Sequence, residues 1–206
     1  MLMLVCLDTA AEGLVEEYYR RATSGDAADR KVLADLLSRA ETFRAAHPQD
    51  PDAWLTAGLI RAAYAKQLGV KGLSQLEKAR QDLEGSIARD SGWRDGYAKA
   101  FLARLYMTVP PWPIAFGNDE RAASLLREVV ESHPASLAGN LYEGLRLLKS
   151  RRREEAAIRL EIADHAQMDC ECPYWTGSLH SLAREGLVTI QPTRRAVDRT
   201  DATLNR

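Results

Sequence analysis

The feature that most constrains this sequence is a pattern of small and apolar residues that recurs three times along its middle. Each copy has an alanine in its second half and a leucine four positions later: Ala79 and Leu83, Ala122 and Leu126, Ala156 and Leu160. A period of about 34 residues is typical of stacked helix pairs, because each pair buries its apolar face only against its neighbours. The repetition therefore predicts an all-α array rather than a sheet.

The copies begin at Pro51, near Arg94 and at Leu137. The third copy needs no insertion, whereas the first two each carry nine extra residues between their helices, around 68–75 and 109–118. Proline followed by aspartate is a favourable helix opening, which supports the start at Pro51.

Further helices are predicted on both sides of the three copies. Apolar periodicity predicts helices at 11–23 and 27–46, which form a degenerate pair that caps the array. One more helix is predicted at 174–185, ended by Gly186. These segments define one helical repeat domain at 11–186, after a short apolar N-terminus at 1–10 and before a flexible polar tail at 187–206.

The apolar run at the N-terminus bears on the compartment. Residues 1–7 are too short to span a bilayer and no basic residue precedes them, so as the sequence stands we predict no signal peptide and a cytoplasmic protein. If the start codon lies upstream, the run is a signal remnant and the protein is periplasmic. Lipidation of Cys6 is then an open alternative.

Composition and charge limit the classes of function. Lys and Arg number 28 against 29 Asp and Glu, which predicts no nucleic-acid partner. The sequence has no glycine-rich phosphate loop and no nucleophile elbow, so we predict neither an enzyme nor a bound cofactor. His47 and His133 precede prolines at equivalent repeat positions, which favours a structural role for both over a metal site.

The three cysteines are Cys6, Cys170 and Cys172, an odd count that predicts no disulfide framework. A single residue separates Cys170 from Cys172, which does not match the spacing typical of tetrahedral zinc. We therefore predict that they are buried small residues and no metal ligands. A copper or redox role is the open alternative.

The repeat positions resemble those of the tetratricopeptide repeat family over roughly residues 28–168. A more specific match is the segment Pro110-Pro111-Trp112-Pro113-Ile114-Ala115-Phe116-Gly117-Asn118. It is similar to a loop of a bacterial subgroup that includes the helical T-component associated with periplasmic TRAP transporters. Asn140, Tyr142 and Gly144 lie where the next repeat of that subgroup has the same residue types. The resemblance implies a right-handed α-solenoid of about three helix pairs with capping helices.

In such arrays the first helix of each pair lines a concave face. Counting repeat positions predicts that this groove is lined by leucines: Leu55, Leu59, Leu102, Leu105, Leu141, Leu145 and Leu148. We expect partner contact at Leu102, Tyr106, Tyr142, Leu145 and Lys149. An exposed patch of this kind is rare in soluble monomers, so something covers it. The candidates are the C-terminal helix or a neighbouring first helix of the chain itself, an amphipathic partner helix, an apolar ligand or a second copy of the chain.

The insertion at 109–118 carries two aromatic rings on a stretch stiffened by prolines. We predict that Trp112 and Phe116 fill the gap between helices, with presentation of an aromatic ring to a ligand as the alternative. The predicted function is a non-catalytic scaffold or adaptor that binds a protein or peptide in its concave groove. The alternatives are a periplasmic accessory protein that binds a small apolar ligand or lipid for an uptake system, and a self-assembling oligomer.

Overall fold

The computed structural model describes residues 9–25, 29–168, 170 and 172–204, and within these residues it contains helices and no strand, which confirms the all-α prediction. The α-helices of these residues are α1 Thr9–Thr23, α2 Arg30–Ala46, α3 Pro51–Leu68, α4 Leu73–Arg89, α5 Trp93–Thr108, α6 Asp119–Ser132, α7 Leu137–Lys149, α8 Arg153–His165 and α9 Pro173–Leu204. A 3-10 turn, Gly69–Gly72, joins α3 to α4.

Side-chain caps explain where four of the helices begin. A side-chain oxygen of the residue before the helix accepts a hydrogen bond from a backbone N–H of the first turn, at Asp29, Asp50, Asn118 and Ser136. Pro51 follows Asp50 at the first position of α3, as the sequence predicts. Each of these caps satisfies a backbone donor that has no partner within its helix.

Helices that follow one another in the chain also contact one another, from α1 to α9. A second set of contacts joins α3 to α5, α5 to α7 and α7 to α9, so these four helices form one layer. Helix α1 contacts both α3 and α9, which are the two ends of that layer. The first helix is therefore more than a cap on its neighbour, because it lies across the layer from one end to the other.

The two insertions take different forms. The first lengthens the helices on either side, since α3 has 18 residues and α4 has 17, whereas α7 and α8 have 13 each. The tight turn between them depends on Gly72, where an added Cβ would lie 2.1 Å from the Ala65 carbonyl oxygen. The second insertion is an extended loop between α5 and α6.

The predicted helix end at Gly186 is wrong, because α9 continues to Leu204 and residues 187–204 of the predicted tail are helical. A Cβ at Gly186 would lie 2.8 Å from Leu160 Cδ1, so this glycine allows α9 to approach α8 closely. Gly186 is therefore needed for close packing between two helices and does not mark a C-terminal cap. Residues 1–8 of the predicted apolar N-terminus lie outside the described residues.

The pairing of two cysteines between α8 and α9 is a feature that the odd cysteine count did not predict. Cys170 and Cys172 lie between α8 and α9 and are joined by a disulfide, with their Cα atoms 5.4 Å apart. The turn between the two helices brings the Cα atoms within the range that a disulfide spans. Cys172 is buried, as predicted.

A buried ion-pair network joins α2, α3 and α4. The Arg61 guanidinium donates to Asp82 at 2.7 Å and forms an ion pair with Glu41, also at 2.7 Å. Arg44 pairs with the second oxygen of Asp82. The side chains of Arg61 and Asp82 are almost fully buried, so each depends on the other for compensation of its charge.

Candidate functional site

An aromatic cluster fills the space between α1 and the layer of α5, α7 and α9. Its members are Tyr19 of α1, Tyr97 and Phe101 of α5, Tyr142 of α7 and Trp175 of α9. The Trp175 ring lies 6.2 Å from Tyr19, 5.6 Å from Tyr97 and 6.5 Å from Phe101, measured between ring centres. Phe101 meets Tyr142 edge-on at 5.3 Å. The N-terminal helix of the chain itself therefore covers one side of the layer.

Glu16 fixes α1 to the start of α9. Its carboxylate oxygens accept hydrogen bonds from the backbone N–H groups of Tyr174 at 2.8 Å and Trp175 at 2.9 Å. Backbone N–H groups at a helix N-terminus have no partner within the helix, and the helix dipole favours a negative charge there. Glu16 thus caps a helix that lies far away in sequence, at the same place where Trp175 enters the aromatic cluster.

Arg104 borders the aromatic cluster and interacts with its tyrosines. Its Nη1 atom donates to the Tyr142 hydroxyl at 3.2 Å, and its Cζ atom lies 5.4 Å from the centre of the Tyr142 ring. Burial raises the pKa of Tyr18, Tyr19 and Tyr142 above the ordinary tyrosine value. All three are therefore neutral phenols near pH 7, and none supplies Arg104 with a counter-charge.

The structure does not bring the five predicted contact residues onto one surface. Leu102 and Tyr142 are buried, and Tyr142 belongs to the aromatic cluster. Leu145 is partly buried and approaches α9, since a Cβ at Gly186 would lie 3.6 Å from its Cδ2 atom. Tyr106 and Lys149 lie elsewhere, next to the loop that joins α5 to α6.

The loop between α5 and α6, residues 109–118, is held by backbone hydrogen bonds at both ends. Gly117 N–H donates to the Pro110 carbonyl at 2.9 Å, and Asn118 N–H donates to the Tyr106 carbonyl at 2.9 Å. A Cβ at Gly117 would lie 2.0 Å from the Val109 carbonyl oxygen, so only glycine fits this closure. The Trp112–Pro113 peptide bond is cis.

Side chains at the base of this loop hold it against the helices. The Phe116 ring lies edge-on to Tyr106 at 5.7 Å, and Arg80 of α4 lies over the Phe116 ring at 5.5 Å. Lys149 of α7 pairs with Asp119, the first residue of α6, at 2.9 Å. Phe116 is partly buried and packs against the hydrophobic core.

Trp112 differs from Phe116, because its side chain is 85% exposed and the prediction that it packs inside is wrong. Ile114 in the same loop is 67% exposed. Val70, in the 3-10 turn before α4, is 85% exposed. We call Trp112 and Ile114, the two exposed apolar side chains of this loop, the apolar loop surface. The prolines of a loop indicate that it is stiff, but they do not indicate which of its rings faces solvent. The sequence therefore could not predict that Trp112 is exposed and Phe116 is not.

The described ranges contain neither a membrane-spanning helix nor a metal cluster. No helix there combines the length and apolarity that a bilayer crossing requires. Those same ranges also bring no three His, Cys, Asp or Glu side chains together as a metal site would need. His47 and His133 end α2 and α6 in similar backbone conformations, and each N–H donates to the carbonyl four residues earlier. The two histidines thus end their helices in the same way.

A scan with protein-family models finds no match to this chain, and a search of curated proteins finds no relative.

Proposed function

We propose that this chain is a non-catalytic scaffold or adaptor of the tetratricopeptide type, with a right-handed solenoid of about three helix pairs. A repeated contact supports this architecture. A Cβ added to Gly58 would lie 2.9 Å from Leu83 Cγ, and one added to Gly144 would lie 2.7 Å from Leu160 Cγ. Close approach at equivalent positions of α3/α4 and α7/α8 is what stacked repeats require.

The observation that carries the interaction role is the exposure of Trp112 on a loop held at both ends. Tryptophan is enriched among the residues that contribute most to protein–protein binding. A side chain on a fixed backbone loses little conformational entropy when a partner covers it. We therefore propose that a protein partner binds the apolar loop surface and receives the Trp112 indole in a pocket.

This places the partner contact at the end of the helices and not in the leucine groove. Two of the five residues expected to contact a partner lie at that end: Tyr106 supports Phe116, and Lys149 pairs with the start of α6. The uptake-system alternative needs an accessible apolar groove. Helix α1 covers one side of the layer, so the geometry favours protein contact through the loop.

Replacement of Trp112 by serine is expected to weaken partner binding by about 2–4 kcal/mol, the range of tryptophan hot spots. Its free energy of unfolding should change by less than about 0.5 kcal/mol, because the exposed ring contributes little to packing. Proteins captured from the native source by the wild-type chain would be identified and purified. Titration calorimetry with each purified protein then measures the two affinities.

The matched control is Ile158→Ser, which removes another exposed apolar side chain, 59% exposed, from α8. It should leave partner affinity within about twofold, since Ile158 lies outside the apolar loop surface. Equal affinity of Trp112→Ser and wild type for every captured protein would contradict the proposed surface. Strong destabilisation by Trp112→Ser would instead give the indole a structural role.

A further inference from the structure

The disulfide between Cys170 and Cys172 is poorly suited to a purely structural role. A single residue separates the two cysteines, so the bond closes a very short loop. A disulfide stabilises a fold mainly by restricting the unfolded chain, and this effect is smallest for short loops. The stability of the whole domain therefore depends little on this bond.

The disulfide lies where α1 is attached to α9. Cys172 directly precedes α9, and its carbonyl accepts a hydrogen bond from Thr176 N–H in the first turn at 3.0 Å. The Glu16 carboxylate of α1 accepts from Tyr174 N–H at 2.8 Å and from Trp175 N–H at 2.9 Å, in the same turn. The side chain that holds α1 and the residue that the disulfide fixes thus cap the same helix terminus.

The two cysteines differ in their exposure to solvent. Cys172 is 1% exposed, whereas Cys170 is partly buried at the edge of the core. An attacking thiolate therefore reaches Cys170, where it forms a mixed disulfide, breaks the protein S–S bond and leaves the electron pair on the Cys172 sulfur. A second thiolate attacks the outer sulfur of the mixed disulfide, which releases Cys170 and gives the disulfide of the reagent. The protons that the two reagent thiols lose pass through solvent to the protein sulfurs.

We propose that the Cys170–Cys172 disulfide is a redox switch, which a thiol reductant opens and which releases α1 from α9 when it opens. Opening removes the cross-link that fixes Cys172 before α9. It also leaves a free sulfur at the helix N-terminus, where the helix dipole favours a thiolate. The Glu16 carboxylate occupies the same terminus, and two negative charges there repel each other. Reduction thus weakens the contact that holds α1, and reoxidation restores it.

The consequence of release is a newly exposed side of the aromatic cluster. Tyr19 of α1 stacks on Trp175 at 6.2 Å, so departure of α1 uncovers the Trp175 ring. This side of the layer is separate from the apolar loop surface proposed for a protein partner. The test below needs no partner, so failure of either proposal would leave the other intact.

Amide hydrogen exchange of the full chain in its two redox states tests the proposal. Cys6→Ser serves as the background for every variant, so that all thiols belong to the pair. Reduced glutathione at a concentration on the order of millimolar should open the disulfide in the folded chain, which a thiol titration would detect. Opening should speed the exchange of Val15 to Tyr19 by at least about tenfold, whereas Phe101 to Ala103 of α5 should stay within about twofold of their oxidised rates.

Two variants separate the switch from other effects of the reductant. The double variant Cys170→Ser, Cys172→Ser forms neither a disulfide nor a thiolate, so glutathione should leave its exchange unchanged. Glu16→Gln keeps an acceptor oxygen at the start of α9 and removes the charge. Opening of the disulfide in this variant should therefore speed the exchange of Val15 to Tyr19 by less than about threefold.

The proposal is overturned if glutathione opens the disulfide only after the chain has unfolded, because the bond is then a structural cross-link. Unchanged exchange of Val15 to Tyr19 after opening would overturn it too. So would a simultaneous loss of protection at Phe101 to Ala103, which would mean that the whole domain unfolds. An undiminished effect in Glu16→Gln would also overturn it, because the switch acts on that carboxylate.

Discussion

Replacement of Trp175 by alanine is expected to lower the free energy of unfolding by about 4 kcal/mol, the largest single effect we predict. The indole is fully buried and contacts aromatic rings from both α1 and α5. Its removal leaves a cavity where α1, α5 and α9 meet, and the surrounding helices can collapse into it only in part. Urea denaturation followed by far-UV circular dichroism measures the change without depending on tryptophan fluorescence.

Two controls accompany Trp175→Ala. Trp175→Phe should cost less than half as much, because it keeps a ring in the site and removes an N–H group that has no acceptor. Tyr174→Ala changes the adjacent, exposed residue of α9 and should cost less than about 1 kcal/mol. A loss below 1 kcal/mol for Trp175→Ala would mean that α1 does not pack against α9 in solution.

Replacement of Asp82 by alanine is expected to lower the free energy of unfolding by about 3 kcal/mol. Asp82 accepts from Arg61 at 2.7 Å and also pairs with Arg44, so its loss leaves a buried guanidinium with Glu41 as its remaining carboxylate. The cost arises from the charge left behind and not from the strength of one ion pair. Urea denaturation again provides the measurement.

The control for Asp82 is Asp35→Ala, which removes an exposed carboxylate that lies 3.6 Å from Arg39. Exposed ion pairs contribute little, so this variant should lose less than about 0.5 kcal/mol. The double variant Arg61→Met, Asp82→Leu removes both buried charges and should regain at least about 1 kcal/mol relative to Asp82→Ala. Equal losses for Asp82→Ala and Asp35→Ala would contradict the buried network.

Local sequence patterns predicted the helices because the signals that determine them are local. Leu83, Leu126 and Leu160 are buried at equivalent positions, as the apolar periodicity implies. Pro51 and its preceding aspartate mark the start of α3, and the capping residues need contacts only within one turn. Apolar periodicity and helix caps can both be recognised from residues that are close together in the sequence.

The contacts by which α1 covers one side of the layer could not be predicted in this way. Tyr19 and Trp175 stack although they lie near opposite ends of the chain, and Glu16 caps a helix that begins at Pro173. The sequence around these residues contains no local pattern that indicates either contact. The prediction that the last helix ends at Gly186 was wrong for the same reason, because this glycine is needed for contact with Leu160 of another helix.

The central claim is that α1 covers one side of the layer formed by α3, α5, α7 and α9, and amide hydrogen exchange of the full chain tests it most directly. We expect the amides of Val15 to Tyr19 to be protected to within about tenfold of those of Phe101 to Ala103, because the two segments pack in one core. Exchange of Val15 to Tyr19 at the rate of an unstructured peptide, while α5 remains protected, would contradict the claim and leave that side of the layer open.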